Sequence, residues 1–273
     1  MYPMINIFGK SISTYAICAL IGVLLVFAWV YFLPKRRKTL VKEDAIITGL
    51  ISCIGVLVGG HVLYAITNIP YIINVITHYS DLGGFWEFAK YLVMAFGGQV
   101  FYGGLLGGLL AGYIYLRAKR MNAEEYADLF APAIPLFHAF GRIGCFLGGC
   151  CYGMEWEHGI TYTNSLVAEA NGVPRLPIQL IESGFNFLLF ALLAFFFIKG
   201  IQKGRLISIY LITYAAARYV FECFRGDSIR GVWFGLSTSQ WISIIIVLTV
   251  MVYTIVSMCN GKRMSQTITG EIG

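Results

Sequence analysis

Apolar runs of roughly twenty residues recur along the whole chain, each long enough to cross a hydrocarbon core of about 30 Å as a helix. The first begins near Ile12 and runs to the cluster Pro34-Lys35-Arg36-Arg37-Lys38. Six more are drawn at about 45–66, 92–116, 127–149, 178–198, 206–224 and 241–258. The pattern predicts an all-α, polytopic membrane protein of seven transmembrane helices in one integral membrane domain, residues 1–273. Two longer connections, about 67–91 and 150–177, carry Pro, Gly, aromatics and charge, and are read as short amphipathic pieces at the outer surface.

Charge orients this bundle. The basic residues of the first run follow it, whereas a cleaved signal peptide places them first. The first helix is therefore read as retained, with the N-terminus outside and the C-terminus cytoplasmic. Inward segments then carry Lys35, Arg36, Arg37, Lys38, Lys42, Arg117, Lys119, Arg120, Lys199, Lys203, Arg205, Lys262 and Arg263. Outward segments carry only Lys10, Lys90, Arg175 and Arg230, which is the asymmetry of the positive-inside rule. Composition agrees: 58% of the residues are hydrophobic and 12% charged, against about 25% charged in soluble domains. The net charge of +6 is a topology signal and a contact for anionic lipid, and it does not point to nucleic acid.

Three arginines fall outside the loops: Arg142, Arg218 and Arg225. A cation at mid-bilayer costs about 2.5–3.5 kcal/mol on insertion scales, so it normally faces a polar interior with a partner. Arg218, Glu222 and Arg225 share one helix face at i, i+4 and i+7. One acid cannot neutralise two arginines, so a surplus positive charge is expected there for a ligand. A planar guanidinium suits a phosphate by forming two parallel hydrogen bonds. Snorkelling from a helix end and a purely structural ion cluster stay open as readings, the first above all for Arg225.

Two glycine-rich stretches flank these cations in the sequence. HAFGRIGCFLGGCCYG surrounds Arg142 with Gly141, Gly144, Gly148 and Gly149, and FGGQVFYGGLLGG carries Tyr102, Gly103 and Gly104. Small residues permit close approach of a neighbouring helix or of a head group. Tyr102 can donate a hydroxyl to a ligand or sit in an interfacial belt. Cys145, Cys150 and Cys151 lie near the outer face. They lack C-x-x-C spacing, and no paired His or second cysteine motif completes a zinc site, so no metal or soluble cofactor is indicated. A disulfide, or a thiol activated by Arg142, stays open.

These segments together resemble the prolipoprotein diacylglyceryl transferases of bacterial membranes. The resemblance rests on SISTYAICALIG, GGQVFYGGLLGG, GRIGCFLGGCCYG, LPIQLIESGFN, RYVFECFRGD and LSTSQWISI, in matching order and spacing. It implies a seven-helix enzyme of the bacterial cytoplasmic membrane. That enzyme moves the diacylglyceryl group of phosphatidylglycerol to the lipobox cysteine thiol of a secreted prolipoprotein and releases glycerol phosphate. Carried over by position, Arg142 and Arg218 engage the phosphate, Tyr102 stands in the catalytic set, Tyr15 lines the site and Glu222 orients Arg218. Gln179, Glu182 and Gln240 are implied as supporting polar groups, and Gly103, Gly104, Gly144, Cys145, Gly153 and Arg225 as lipid contacts.

The chain also departs from the family pattern. Tyr102 stands where His is usual, and Cys145 where Asn follows G-R-I-G. Gly148, Gly149 and Cys150 replace N-G-E, and His61 stands where Arg is frequent. Two further functions stay open: a membrane glycerolipid transferase with another acceptor, and a lipid-binding or transport protein without chemistry.

Overall fold

The computed structural model describes residues 1–7, 9–32, 39–79, 84–227 and 232–270, with side chains to residue 255 apart from Ile7 and Val232. Lys35, Arg36, Arg37, Lys38 and Arg230 from the charge count lie outside the described residues, as do the side chains of Lys262 and Arg263.

The described chain is mainly helical, as the apolar runs predict. A hairpin of β1 (Met4–Ile7) and β2 (Lys10–Ser13) precedes α1 (Thr14–Phe32). Then come α2 (Lys42–Thr67), α3 (Ile69–Thr77), α4 (Phe85–Ala95), α5 (Phe101–Ala118), α6 (Ala123–Phe130) and α7 (Ala133–Gly148). After a segment with β3 (Glu155–Thr161) and β4 (Pro174–Arg175) follow α8 (Ile178–Lys199) and α9 (Leu206–Glu222). A two-residue hairpin, β5 (Val232–Trp233) and β6 (Leu236–Ser237), leads into α10 (Thr238–Gly270).

Among the described residues five segments are long and apolar enough to span: Thr14–Phe32, Lys42–Thr67, Ala123–Gly148, Ile178–Lys199 and Thr238–Ile255. The protein is thus a polytopic membrane protein. The other two expected spans correspond to α5, diluted by glycine, tyrosine and Arg117, and to α9, which has 17 residues. The run drawn as 92–116 is not continuous. Its first residues belong to α4, and the chain breaks at Phe96-Gly97-Gly98-Gln99 before α5 begins. The expected amphipathic pieces are α3 and α4 in the 67–91 connection, whereas the 150–177 connection forms a small irregular sheet.

The chain forms two compact units, Met1–Trp29 with Ala127–Gly273, and Val30–Tyr126. In the second, α2 and α5 pack through facing glycines. A Cβ on Gly103 or Gly107 would overlap the backbone oxygen of Gly59 or Gly55, and the reverse substitutions would overlap Gly103 and Gly107. Two small-xxx-small stripes therefore bring the backbones together. At the break before α5, Phe96 O lies 2.6 Å from His61 Nδ1, and Gln99 Nε2 is 3.3 Å from His61 Nε2. His61 acts there as an anchor for the α4–α5 turn.

The first unit holds α1 and α7 to α10. Its polar side chains point inward: Gln179, Glu182, Ser183 and Asn186 along α8 are buried, while Leu188 and Leu248 are more than half exposed. Such an inside-out arrangement fits hydrocarbon as the surrounding solvent. Gly149 and Gly200, both left-handed, end α7 and α8. Pro135 falls in the first turn of α7, where its missing N–H has no intrahelical partner to lose.

Candidate active site

Three helices of the first unit place their polar groups at one level. Glu182 lies one turn into α8, Arg218 one turn before the end of α9, and Arg142 about two turns before the end of α7. Glu182 is 1% exposed and bridges both cations. Its Oε2 is 2.7 Å from Arg142 Nε, and its Oε1 accepts a hydrogen bond of 3.2 Å from an Arg218 terminal nitrogen. The Arg142 N–H is not aligned for a hydrogen bond to Oε2, so that contact is an ion pair held by charge. Arg218 also donates to Glu222 Oε2 at 2.5 Å and to Ser239 Oγ at 3.4 Å. Among the described residues the terminal nitrogens of Arg142 donate to no partner, which leaves its outer edge for an anion.

The expected charge surplus on α9 needs correction. Arg225 pairs with Asp227, Nε to Oδ1 at 3.1 Å and Nη2 to Oδ2 at 2.8 Å. Three arginines meet three carboxylates, because Glu182 comes from α8 and Asp227 from the following turn. Burial pushes the Asp227 carboxyl up despite its arginine.

The segments that follow α7 and α9 are tied together. Gly226 N donates to Tyr152 O at 3.0 Å and Met154 N to Phe224 O at 2.8 Å, so the strand after α7 runs beside the one after α9. A Cβ on Gly153 would overlap Leu176 O, which explains that glycine by close packing. Gly144 admits α1: a Cβ there would stand 2.9 Å from the Tyr15 ring and 3.3 Å from Cys18 Cβ. Tyr15 thus packs against Gly144 on α7.

Gln179 donates to Cys150 O at 2.8 Å and accepts from the Tyr162 hydroxyl at 2.9 Å, so it fixes the turn that carries the cysteines. Gln240 and Ser237 form a reciprocal cap of α10. Ser237 N donates to Gln240 Oε1 at 2.9 Å, and Gln240 N to Ser237 Oγ at 3.3 Å. S-x-x-Q before an apolar run is a capping-box signature, and that signal accounts for Gln240 without a substrate.

The cysteine turn is the least expected feature. Cys145, Cys150 and Cys151 bring their sulfurs within 4.8 Å of one another. Gly149 and Cys151 both have positive φ, 76° and 56°, and these left-handed residues curl the chain back toward α7. The Cys150 thiol donates to the Cys145 carbonyl at 3.7 Å, which folds the turn back on the helix end. Spacing in the sequence shows no such cluster, since the turn geometry alone closes it.

His138, Tyr214 and Asp128 were not singled out from the sequence. His138 is buried one turn before Arg142 and meets the Tyr214 ring edge-on at 5.0 Å. Tyr210, Tyr214, Arg218 and Glu222 form a buried stripe at i+4 spacing, which is the signal that identifies Tyr214. Asp128 accepts from Gly204 N at 2.6 Å and Leu206 N at 3.0 Å, holding the start of α9. Tyr102, Gly103 and Gly104 belong to the other unit, where Tyr102 is buried and the two glycines face α2.

A membrane-embedded bundle with a carboxylate-bridged pair of arginines defines a protein that can hold an anionic lipid head group inside its helices. A family model for prolipoprotein diacylglyceryl transferase matches residues 3–256, and the chain belongs to that family. A protein of Clostridium tetani (strain Massachusetts / E88) described as phosphatidylglycerol–prolipoprotein diacylglyceryl transferase is 36% identical over 261 residues, covering 93% of this chain and 98% of its own. One of Clostridium perfringens (strain 13 / Type A), described as the same transferase with the number 2, is 34% identical over 262 residues, with 94% and 96% covered. The namesake of Streptococcus pneumoniae (strain Hungary19A-6) is 30% identical over 269 residues, with 96% and 95% covered.

Proposed function

We propose that this chain transfers the diacylglyceryl group of phosphatidylglycerol to the lipobox cysteine of a prolipoprotein in the bacterial cytoplasmic membrane, releasing glycerol phosphate. The observation that carries the reading is Glu182 holding Arg142 and Arg218 side by side in an apolar interior. Guanidinium groups fixed there meet the phosphate as its leaving oxygen gains charge, which is worth more in a dry site than in water. The thiol must become a thiolate to attack the glyceryl carbon.

The proposed topology has seven spans, α1, α2, α5, α6 with α7, α8, α9 and α10, with the N-terminus outside and the C-terminus cytoplasmic. Ties between residues 1–2, 147–163 and 224–226 support placing the N-terminus with the ends of α7 and α9 on one side. Tyr15, Gly144 and Arg225 are assigned to the lipid pocket, and Tyr102, Gly103 and Gly104 are kept as family-implied members of the site.

Purified protein in phosphatidylglycerol vesicles with a lipobox peptide is expected to produce lipidated peptide and glycerol phosphate together. Neither product from folded protein would refute the reading. Glycerol phosphate without modified peptide would replace the acceptor and keep the donor.

A further inference from the structure

We infer that Cys145, Cys150 and Cys151 form a zinc site whose fourth position takes the sulfur of the acceptor cysteine. The inference rests on the transferase reading for the identity of that thiol, and on geometry for the site.

Three thiol sulfurs lie within 4.8 Å of one another, each residue partly accessible. Zn–S bonds of about 2.3 Å place sulfurs of a tetrahedral site about 3.8 Å apart, so small rotations of the side chains close the triad on one ion. Three protein ligands and an open fourth position are the pattern of catalytic rather than structural zinc. The turn is built for convergence. Cys151 keeps a left-handed backbone that a residue with a Cβ adopts at a cost of about 1–2 kcal/mol, and Gln179 holds the carbonyl of Cys150. The ligands span the last turn of α7 and the turn that follows it.

The position suits the chemistry. Cys145 follows Arg142 at i+3 on the same face of α7, which sets a metal beside the guanidinium assigned to the phosphate. A coordinated thiol loses its proton outright. In the step itself, the acceptor S–H gives its proton to water and its sulfur binds as thiolate. The sulfur then forms a bond to the glyceryl carbon, the C–O bond to phosphate breaks, and that electron pair leaves on the glycerol phosphate oxygen.

Full-length protein purified under reductant and without chelator is expected to hold about one zinc per chain by plasma mass spectrometry. Cys145→Ser, Cys150→Ser and Cys151→Ser should each lose most of it, and Cys53→Ser should keep it. The cobalt-substituted protein is expected to show thiolate-to-cobalt charge transfer, with ligand-field bands that change on adding a lipobox peptide and stay unchanged with its Cys→Ser version. Folded wild-type protein with neither zinc nor that charge transfer overturns the site, as does a disulfide joining two of the three under reductant. These wild-type measurements decide the matter even where a Ser variant fails to fold. Zinc removal should slow peptide lipidation by at least about a hundredfold. Metal-free protein that lipidates peptide at the full rate overturns the inference and leaves the transferase standing. A cobalt spectrum that responds to the thiol peptide, with no lipid transferred, supports the site and removes the transferase reading.

Discussion

Glu182 and Arg142 meet at 2.7 Å between α8 and α7, and the same carboxylate reaches Arg218 on α9. Because one acid serves two buried cations, its loss strands Arg142 and leaves Arg218 to Glu222 alone. Glu182→Gln is expected to destabilise the protein by about 3–5 kcal/mol, the usual cost of breaking a buried pair. Thermal unfolding in detergent measures it, and a change under about 1 kcal/mol would show that the two arginines find other compensation.

In the proposed site Arg142 meets the phosphate with its outer nitrogens, so shape matters as well as charge. Arg142→Lys should retain insertion and lose about 10²–10³ in turnover, the range for removing one transition-state donor. Full activity in that variant would take Arg142 out of the phosphate site.

Gly103 and Gly59 cross with their backbones in contact. Gly103→Val forces α2 from α5 and should cost about 1–3 kcal/mol. Gly184→Ala, where a Cβ meets nothing within 4 Å, is the control and should stay within about 0.5 kcal/mol. Equal melting temperatures for the two variants would contradict the glycine crossing.

Ser237 and Gln240 cap α10 for one another. Ser237→Ala should lower stability by about 1 kcal/mol, and Gln240→Glu should keep most of the cap. If Gln240→Ala abolishes lipidation with stability intact, the residue has a substrate contact beyond its cap.

Gln179 joins the Tyr162 hydroxyl to the Cys150 carbonyl. Gln179→Leu leaves both buried groups unpaired, and a loss of about 1–3 kcal/mol is expected. Deuterium exchange should rise across residues 149–153 first. Unchanged exchange there would mean that the α7 end holds the cysteine turn unaided.

Hydrophobic length and the placement of lysine and arginine are properties of the chain read in order. Residues alone therefore revealed a helical membrane protein and marked Arg142 and Arg218 as costly cations requiring a purpose. Helix spacing placed Glu222 beside Arg218 and the family motifs named Glu182, and both carboxylates meet those cations in the fold. The partners were a different matter. Whether Glu182 faces one arginine or two depends on how α7, α8 and α9 turn toward one another, and a helix period reports a face without its opposite number. Asp227 and Asp128 lie in or near turns, where no periodicity constrains direction. The cysteines show this most clearly. Cys145 and Cys150 are five residues apart, a spacing that matches no common ligand motif, and only the left-handed bends at Gly149 and Cys151 bring the three sulfurs together. Sequence determined the solvent this protein folds in and the charges it must hide, because burial in lipid penalises each residue by its own chemistry. Tertiary structure alone decided which charges meet and that three thiols share one place, because those distances are set by backbone dihedrals and helix rotation.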